Sequence, residues 1–151
     1  MVKLPKTATK KGGHSEALVK AAFDTATRDR IETLYQRVYD SYSAGGAYMP
    51  AQAGDFMFIH KGHHGVIEVK STAKPTSLPK KNFGDGQLAR LQRVQLAGAT
   101  SQVWVHHTTT DVWRHVPVSF LISSFYECGS SWVLSQFPET DPQLLVNALF
   151  M

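Results

Sequence analysis

The chain has 151 residues, 42% of them hydrophobic and 19% charged, with one cysteine and a formal net charge of +4. That length makes one domain able to bury a core, and the composition excludes a disordered chain. No apolar run approaches the roughly 20 residues needed to cross a bilayer, and Cys128 has no partner for an internal disulfide, so a reducing, cytoplasmic setting is expected.

The charge is unevenly spread. Residues 1–93 hold 15 of the 16 Lys and Arg but 8 of the 12 Asp and Glu. Basic charge gathered in one region is the footprint of a protein that meets a phosphate backbone, although a merely basic surface would look the same. The start, MVKLPKTATKKGG, is basic and lacks the apolar segment of a signal peptide. It reads as a flexible basic arm over 1–13, with a single domain over 14–151.

A helix is expected from Ser15, with that serine as N-cap and Leu18, Ala22 and Ala26 at helical spacing. Ile31, Leu34, Tyr35, Val38, Tyr39 and Tyr42 repeat the spacing and predict a second helical stretch, which SAGGAYMPAQAG ends. Strands come next, near 54–60 and 65–70, then a long basic loop over 71–86. A third helix over 87–99 would present Leu88, Leu91, Val94 and Leu96 on its apolar side. Strands over 101–107 and 111–116 flank a Thr-rich turn, Pro117 starts a short helix, and 131–137 is extended. Asp141 and Pro142 make the N-cap and first turn of a last helix. Trp104, Trp113 and Trp132 are assigned to the core, and Cys128 to a buried position. Helix, strands, helix, strands is the order of a small α/β or α+β domain.

The stretch GDFMFIHKGHHGVIEVKST, residues 54–72, carries charges where strands want apolar side chains. If KGHHG turns the hairpin about Lys61–His64, Met57 faces Glu68 and Asp55 faces Lys70; a two-residue turn would instead set Asp55 opposite Glu68. In both registers Asp55, Glu68 and Lys70 share one face, while Ile67 and Val69 point into the core. Two carboxylates at that range repel, and a hard cation with oxygen ligands, Mg²⁺ or Mn²⁺, relieves the repulsion. Lys70 beside the metal would orient or deprotonate a water, or stabilise charge on a phosphorane. The alternative is a surface salt-bridge ladder on a half-exposed hairpin.

Asp55, twelve intervening residues and then Glu68-Val69-Lys70 resembles the signature of the PD-(D/E)xK nucleases. The segment beyond Lys70 is similar to the RecU-type Holliday-junction resolvases, through Ser77, Leu78, Pro79, Asn82, Phe83, Gln87 and Gly98. The resemblance covers roughly residues 50–120. It implies an α/β restriction-endonuclease-like core, a central mixed sheet flanked by helices. It also implies that Asp55 and Glu68 ligate metal, with the Val69 carbonyl a further ligand, and that Lys70 is the catalytic lysine. Glu16 matches the helix-1 glutamate of the superfamily, with Asp24, Asp29 and Glu32 as rivals, and Gln87 matches a glutamine placed near the lysine.

Lys74, Lys80, Lys81, Arg90 and Arg93 form the densest basic stretch after the hairpin and are expected to contact the DNA backbone. His60, His63, His64, His106, His107 and His115 lack zinc-site spacing, and His63 and His64 are expected in the turn. The expected function is a Mg²⁺-dependent endodeoxyribonuclease acting on branched double-stranded DNA, a four-way junction foremost. A homodimer with two sites is expected, Leu144, Leu145, Ala148 and Leu149 being one candidate interface. The compactness suggests a phage gene. The alternatives are a nuclease for another DNA or RNA substrate, or an inert DNA-binding module.

Overall fold

The computed structural model describes residues 13–38 and 52–151, so most of the basic arm, Tyr39 and Tyr42 lie outside the described residues. The elements are α1 (Gly13–Thr27), β1 (Thr33–Arg37), β2 (Phe56–His60), β3 (His63–Thr72), β4 (Ser77–Pro79), α2 (Gln87–Leu96), β5 (Thr100–His107), β6 (Val112–Val116), α3 (Val118–Ser123), β7 (Ser131–Val133) and α4 (Pro142–Leu149). Five strands form one mixed sheet in the order β1-β2-β3-β5-β6. Only the β3–β5 pairing is parallel, which requires α2 as a crossover between them. The short strands β4 and β7 pair separately. Among the described residues no helix is long and apolar enough to cross a membrane.

Strand alternation divides the core between the two faces of the large sheet. Phe56, Phe58, Ile67, Val69, Trp104 and Trp113 meet Val19 and Phe23 of α1 and Val146 of α4. On the other face Val103, Val105 and Val116 pack against Leu91 of α2, Leu121 of α3 and the small sheet's Leu78 and Trp132. All three tryptophans are buried as expected, while Cys128 is half-buried against the second cluster. Asp141 caps α4 by accepting the Leu144 N–H at 2.9 Å. Leu145 and Leu149 pack into the first cluster, so core packing takes the inner side of that helix, while Leu144 stays exposed.

Several local expectations are corrected. Residues 33–37 form a strand, not a helix. Thr33, Tyr35 and Arg37 point inward at a period of two, with Tyr35 stacked 4.8 Å from Phe23, whereas a helix would have buried Ile31 and Leu34, which are exposed. Ser15 is no N-cap, because α1 starts at Gly13; its hydroxyl is hydrogen-bonded at 2.8 Å to His106 Nδ1. The loop after the hairpin holds β4 and a 3₁₀ turn, Lys80–Asn82, each too short to leave a period in the sequence. On α2 only Leu91 is fully buried, and Leu96 is exposed. His63 and His64 belong to β3, since the turn is the two residues Lys61 and Gly62, both at positive φ (49° and 79°). That turn type matches the natural twist of a hairpin, and glycine adopts its second position without strain.

Candidate active site

The two-residue turn sets the register Phe56↔Ile67, so the hairpin follows the second of the two pairings considered, not the first. The pairing with β2 stops at Phe56↔Ile67, but β3 runs on to Thr72 with β5 alone beside it. Asp55 takes up the open edge. Its N–H donates to the Ile67 carbonyl at 2.9 Å, and its Oδ2 accepts the Val69 N–H at 2.8 Å. Gly54 permits this approach, because a Cβ there would sit 2.9 Å from the Ile67 carbonyl oxygen.

Around that edge Glu16, Asp55, Glu68, Val69, Lys70, Ser71 and Asn82 line one cavity of about 200 Å³. Glu68 and Lys70 project from the α2 side of β3, while Glu16 comes from α1, which packs on the other face. Both glutamates are buried, at 4% exposure each, which rules out the half-exposed surface ladder. Of the four candidate acids near the first helix, Glu16 alone lines the cavity; Asp24, Asp29 and Glu32 are exposed, and Asp24 is bonded to Lys20 and Tyr35.

The lysine is held from every side. Lys70 Nζ donates to the Asn82 carbonyl at 2.7 Å and to Gln87 Oε1 at 2.8 Å, lies 3.0 Å from Glu68 Oε1, and sits 4.6 Å above the Phe83 ring. Three acceptors match its three donor hydrogens. Gln87 bridges the pair, donating from Nε2 to Glu68 Oε1 at 2.7 Å, while its own oxygen also accepts the Gly84 N–H at 3.3 Å. The expected closeness of Gln87 to the lysine is therefore present. Asn82 adds a second tie, donating to the Ser71 carbonyl at 3.1 Å.

Burial pushes the Glu68 carboxyl above its ordinary range; Lys70 and Gln87 pull it back, and the negative charge of Glu16 pushes it up again. Glu16 is bound by Arg37, a residue that reading 33–37 as a helix had hidden. Among the described residues no three acidic, histidine or cysteine side chains already cluster as a ligand set. Each acid is instead turned to a protein donor: Arg37, the Val69 N–H, or Lys70 with Gln87. The donor set still fits a hard cation. Carboxylate oxygens around one polar cavity, with Glu68 strained upward by burial and by Glu16, are what Mg²⁺ or Mn²⁺ would relieve.

The basic residues divide. Lys74 and Lys81 line a neighbouring groove of about 400 Å³ that shares Ser71 and Asn82 with the cavity. Lys80 turns the other way, its Nζ 4.3 Å from the Phe125 ring. Arg90 donates to the Asp85 carbonyl at 3.3 Å, Arg93 is exposed on α2, and neither lines cavity or groove. The link between α1 and β5 left no local signal in the sequence. Ser15 joins His106, whose Nε2 lies 2.8 Å from Asp111 Oδ1 and whose ring stacks 4.3 Å from Trp113. These contacts tie the start of α1, and with it Glu16, to β5 across 91 residues of sequence.

No family model matches the chain. Among curated proteins it is similar to the Holliday junction resolvase RecU of Lactococcus lactis subsp. lactis (strain IL1403), 28% identical over 112 residues, 74% of this chain and 47% of that one. It is also similar to the Holliday junction resolvase RecU of Streptococcus pyogenes serotype M1, 27% identical over 110 residues, 73% of this chain and 49% of that one. The chain spans about half the length of the curated relatives it matches. Among solved structures it resembles Archaeoglobus fulgidus Hjc, described as a Holliday junction resolvase from an archaeal hyperthermophile, with a TM-score of 0.53 and 16% identity over 84% of this chain and 96% of that one. The fold is thus the restriction-endonuclease-like α/β core expected from the sequence.

Proposed function

We propose that the chain is a metal-dependent, structure-selective DNA endonuclease that hydrolyses phosphodiester bonds in branched DNA, the four-way junction being its first substrate. The observation that carries this reading is the Glu68–Lys70–Gln87 cluster, facing Asp55 and Glu16 across one cavity on the edge of β3. Similarity to proteins named as junction resolvases supports the choice of substrate.

In this reading Asp55, Glu68 and Glu16 would hold Mg²⁺ or Mn²⁺, with the Val69 carbonyl as a further ligand. The bound cation supplies Lewis acidity and a water of lowered pKa. Lys70 gives up one of its acceptors to donate to that water or to a non-bridging phosphate oxygen, and Gln87 keeps both the ammonium and Glu68 in place. The attacking water gives up a proton to solvent as its oxygen adds to phosphorus, the bond to the leaving sugar oxygen breaks, and that oxygen takes a proton from solvent. Lys74 and Lys81 receive the adjacent backbone phosphates, with Lys80, Arg90, Arg93 and the basic arm adding charge farther out. Residues 14–151 act as one nuclease domain, and paired nicks call for a homodimer.

The test compares a mobile four-way junction with a linear duplex of the same arms, in Mg²⁺ and in EDTA, for the wild type, Lys70→Ala and Glu68→Ala. Symmetric nicks in the junction alone, lost in both variants and in EDTA, are expected. Equal cutting of the duplex would remove the junction from the proposal. Tight binding with no cutting would leave a DNA-binding module.

A further inference from the structure

Behind the segment that carries Gln87 lies a second cavity, of about 460 Å³, walled by Lys80, Phe83, Asp85, Gln92, Phe125 and Tyr126 among others. Its volume is that of a small-molecule site, and three of those walls are aromatic. Tyr126 is 93% exposed, a large ring left in water at the rim. Its neighbour Phe125 is fixed instead, its ring centroid 5.9 Å from buried Trp132, and Lys80 lies over it. Phe83 joins this cavity to the lysine: Lys70 sits above its ring, and its edge meets Trp132, the centroids 5.6 Å apart.

We propose that this cavity binds a single unpaired nucleobase of the DNA whose phosphate lies at Lys70. The inference rests on the nuclease reading above and adds to it a source of branch selectivity. Aromatic walls accept any base by stacking. Lys80 at the rim pairs with the nucleotide's phosphate. The Asp85 carboxylate repels phosphate but accepts from base amino groups, and the Gln92 amide both donates and accepts, so the polar chemistry admits the base edge first. Phe83, a wall of this cavity in contact with Lys70, places the site within a nucleotide or two of the reacting phosphate. A base inside a duplex must leave its stack to enter, and that is least costly where stacking is already interrupted, at a branch point.

The test uses four-way junctions with 5-iododeoxyuridine at single positions, bound to the full chain in EDTA and irradiated, with cross-linked residues mapped by mass spectrometry. One branch-point position is expected to cross-link to Tyr126 or Phe125, and the same base paired within an arm is not. Tyr126→Ala, at an exposed position, is expected to weaken junction binding about tenfold and leave duplex binding unchanged. Tyr126→Phe is expected to bind within about twofold of the wild type, since stacking needs the ring and not the hydroxyl. Cross-links that map elsewhere, or a Tyr126→Ala protein that binds both DNAs as the wild type does, would overturn the proposal. So would a Tyr126→Ala defect in self-association without any cross-link, which would assign the cavity to contact with a second copy. If the wild type cuts no DNA in Mg²⁺, it is the nuclease reading that fails; if it cuts junctions while the cross-links miss the cavity, only the base site fails.

Discussion

The two sides of the cavity on β3 are built differently. The lysine side comes from one continuous stretch: Glu68 and Lys70 on the strand, then Asn82, Phe83 and Gln87 less than twenty residues later, all joined by direct contacts. The carboxylate side is assembled from three separate segments. Glu16 comes from α1, Arg37 from the end of β1, and Asp55 from the residue before β2. A cluster tied within one segment forms with the local fold, whereas the carboxylates depend on how α1 and the β1–β2 edge dock. Lys70 and Gln87 are therefore expected to govern the rate of the chemical step, and Glu16 and Asp55, together with Glu68, the affinity for the cation.

The largest effect tests that division directly. Lys70→Ala should lower single-turnover cleavage by about 10²–10³-fold, the loss typical of removing a donor to developing charge. No concentration of Mg²⁺ should restore it. Restoration by added metal would mean that Lys70 serves the cation and not the reacting phosphate. Gln87→Ala removes a group behind both partners and should lose roughly 10–100-fold. Glu16→Gln should instead raise the Mg²⁺ concentration for half-maximal cleavage by about tenfold, with the rate at saturating metal little changed. A metal titration of all three proteins is enough, and identical midpoints would erase the distinction between the two sides.

The same division explains what could be read from the sequence. Glu68 and Lys70 stood out because a strand's alternation sets them on one face, whereas Gln87, beyond a long loop, was legible only through the family resemblance. Asp55 was legible from the same alternation, even though the register was that of the shorter turn. Arg37 was not, because Ile31, Leu34, Tyr35 and Val38 fit a helical period as well as Thr33, Tyr35 and Arg37 fit a strand. Only the stacking of Tyr35 on Phe23 and pairing with β2 decide between them. The Ser15–His106 contact has no sequence signature, since α1 and β5 meet only in the folded chain. Lys80 shows the limit for charge: it lies next to Lys81 in the chain yet is aimed at a different cavity.

Gly54 offers a gentler way to disturb the carboxylate side alone. A methyl group there meets the Ile67 carbonyl oxygen at 2.9 Å, so Gly54→Ala must push the residue before Asp55 away from β3. Overpacking of this kind costs about 1–3 kcal/mol. The expected result is a lower denaturation midpoint together with a raised Mg²⁺ requirement. A variant that loses stability but keeps the wild-type metal midpoint would show that Asp55 does not depend on the close approach.

The smallest effect concerns the basic loop just after the lysine. His107, fully buried at the end of β5, holds that loop through its Nδ1, 2.7 Å from the Lys74 carbonyl. Neutral imidazole donates there. Burial holds its pKa below the ordinary 6.5; the bond to the Lys74 carbonyl pulls it partly back, and the nearby positive charge of Arg114 presses it lower. In the unfolded chain the same ring protonates near 6.5. Above that pH both states are neutral and the group adds no pH dependence. As pH falls below it, the unfolded state takes up the proton first, so stability is lost, by at most about 1.4 kcal/mol per pH unit for one proton. His107→Asn keeps an amide donor for the Lys74 carbonyl and removes the titration. Urea midpoints measured from pH 7.5 to 5.5 should therefore fall less steeply for His107→Asn than for the wild type. Parallel slopes would mean that the loop carrying Lys74 is held without a neutral His107.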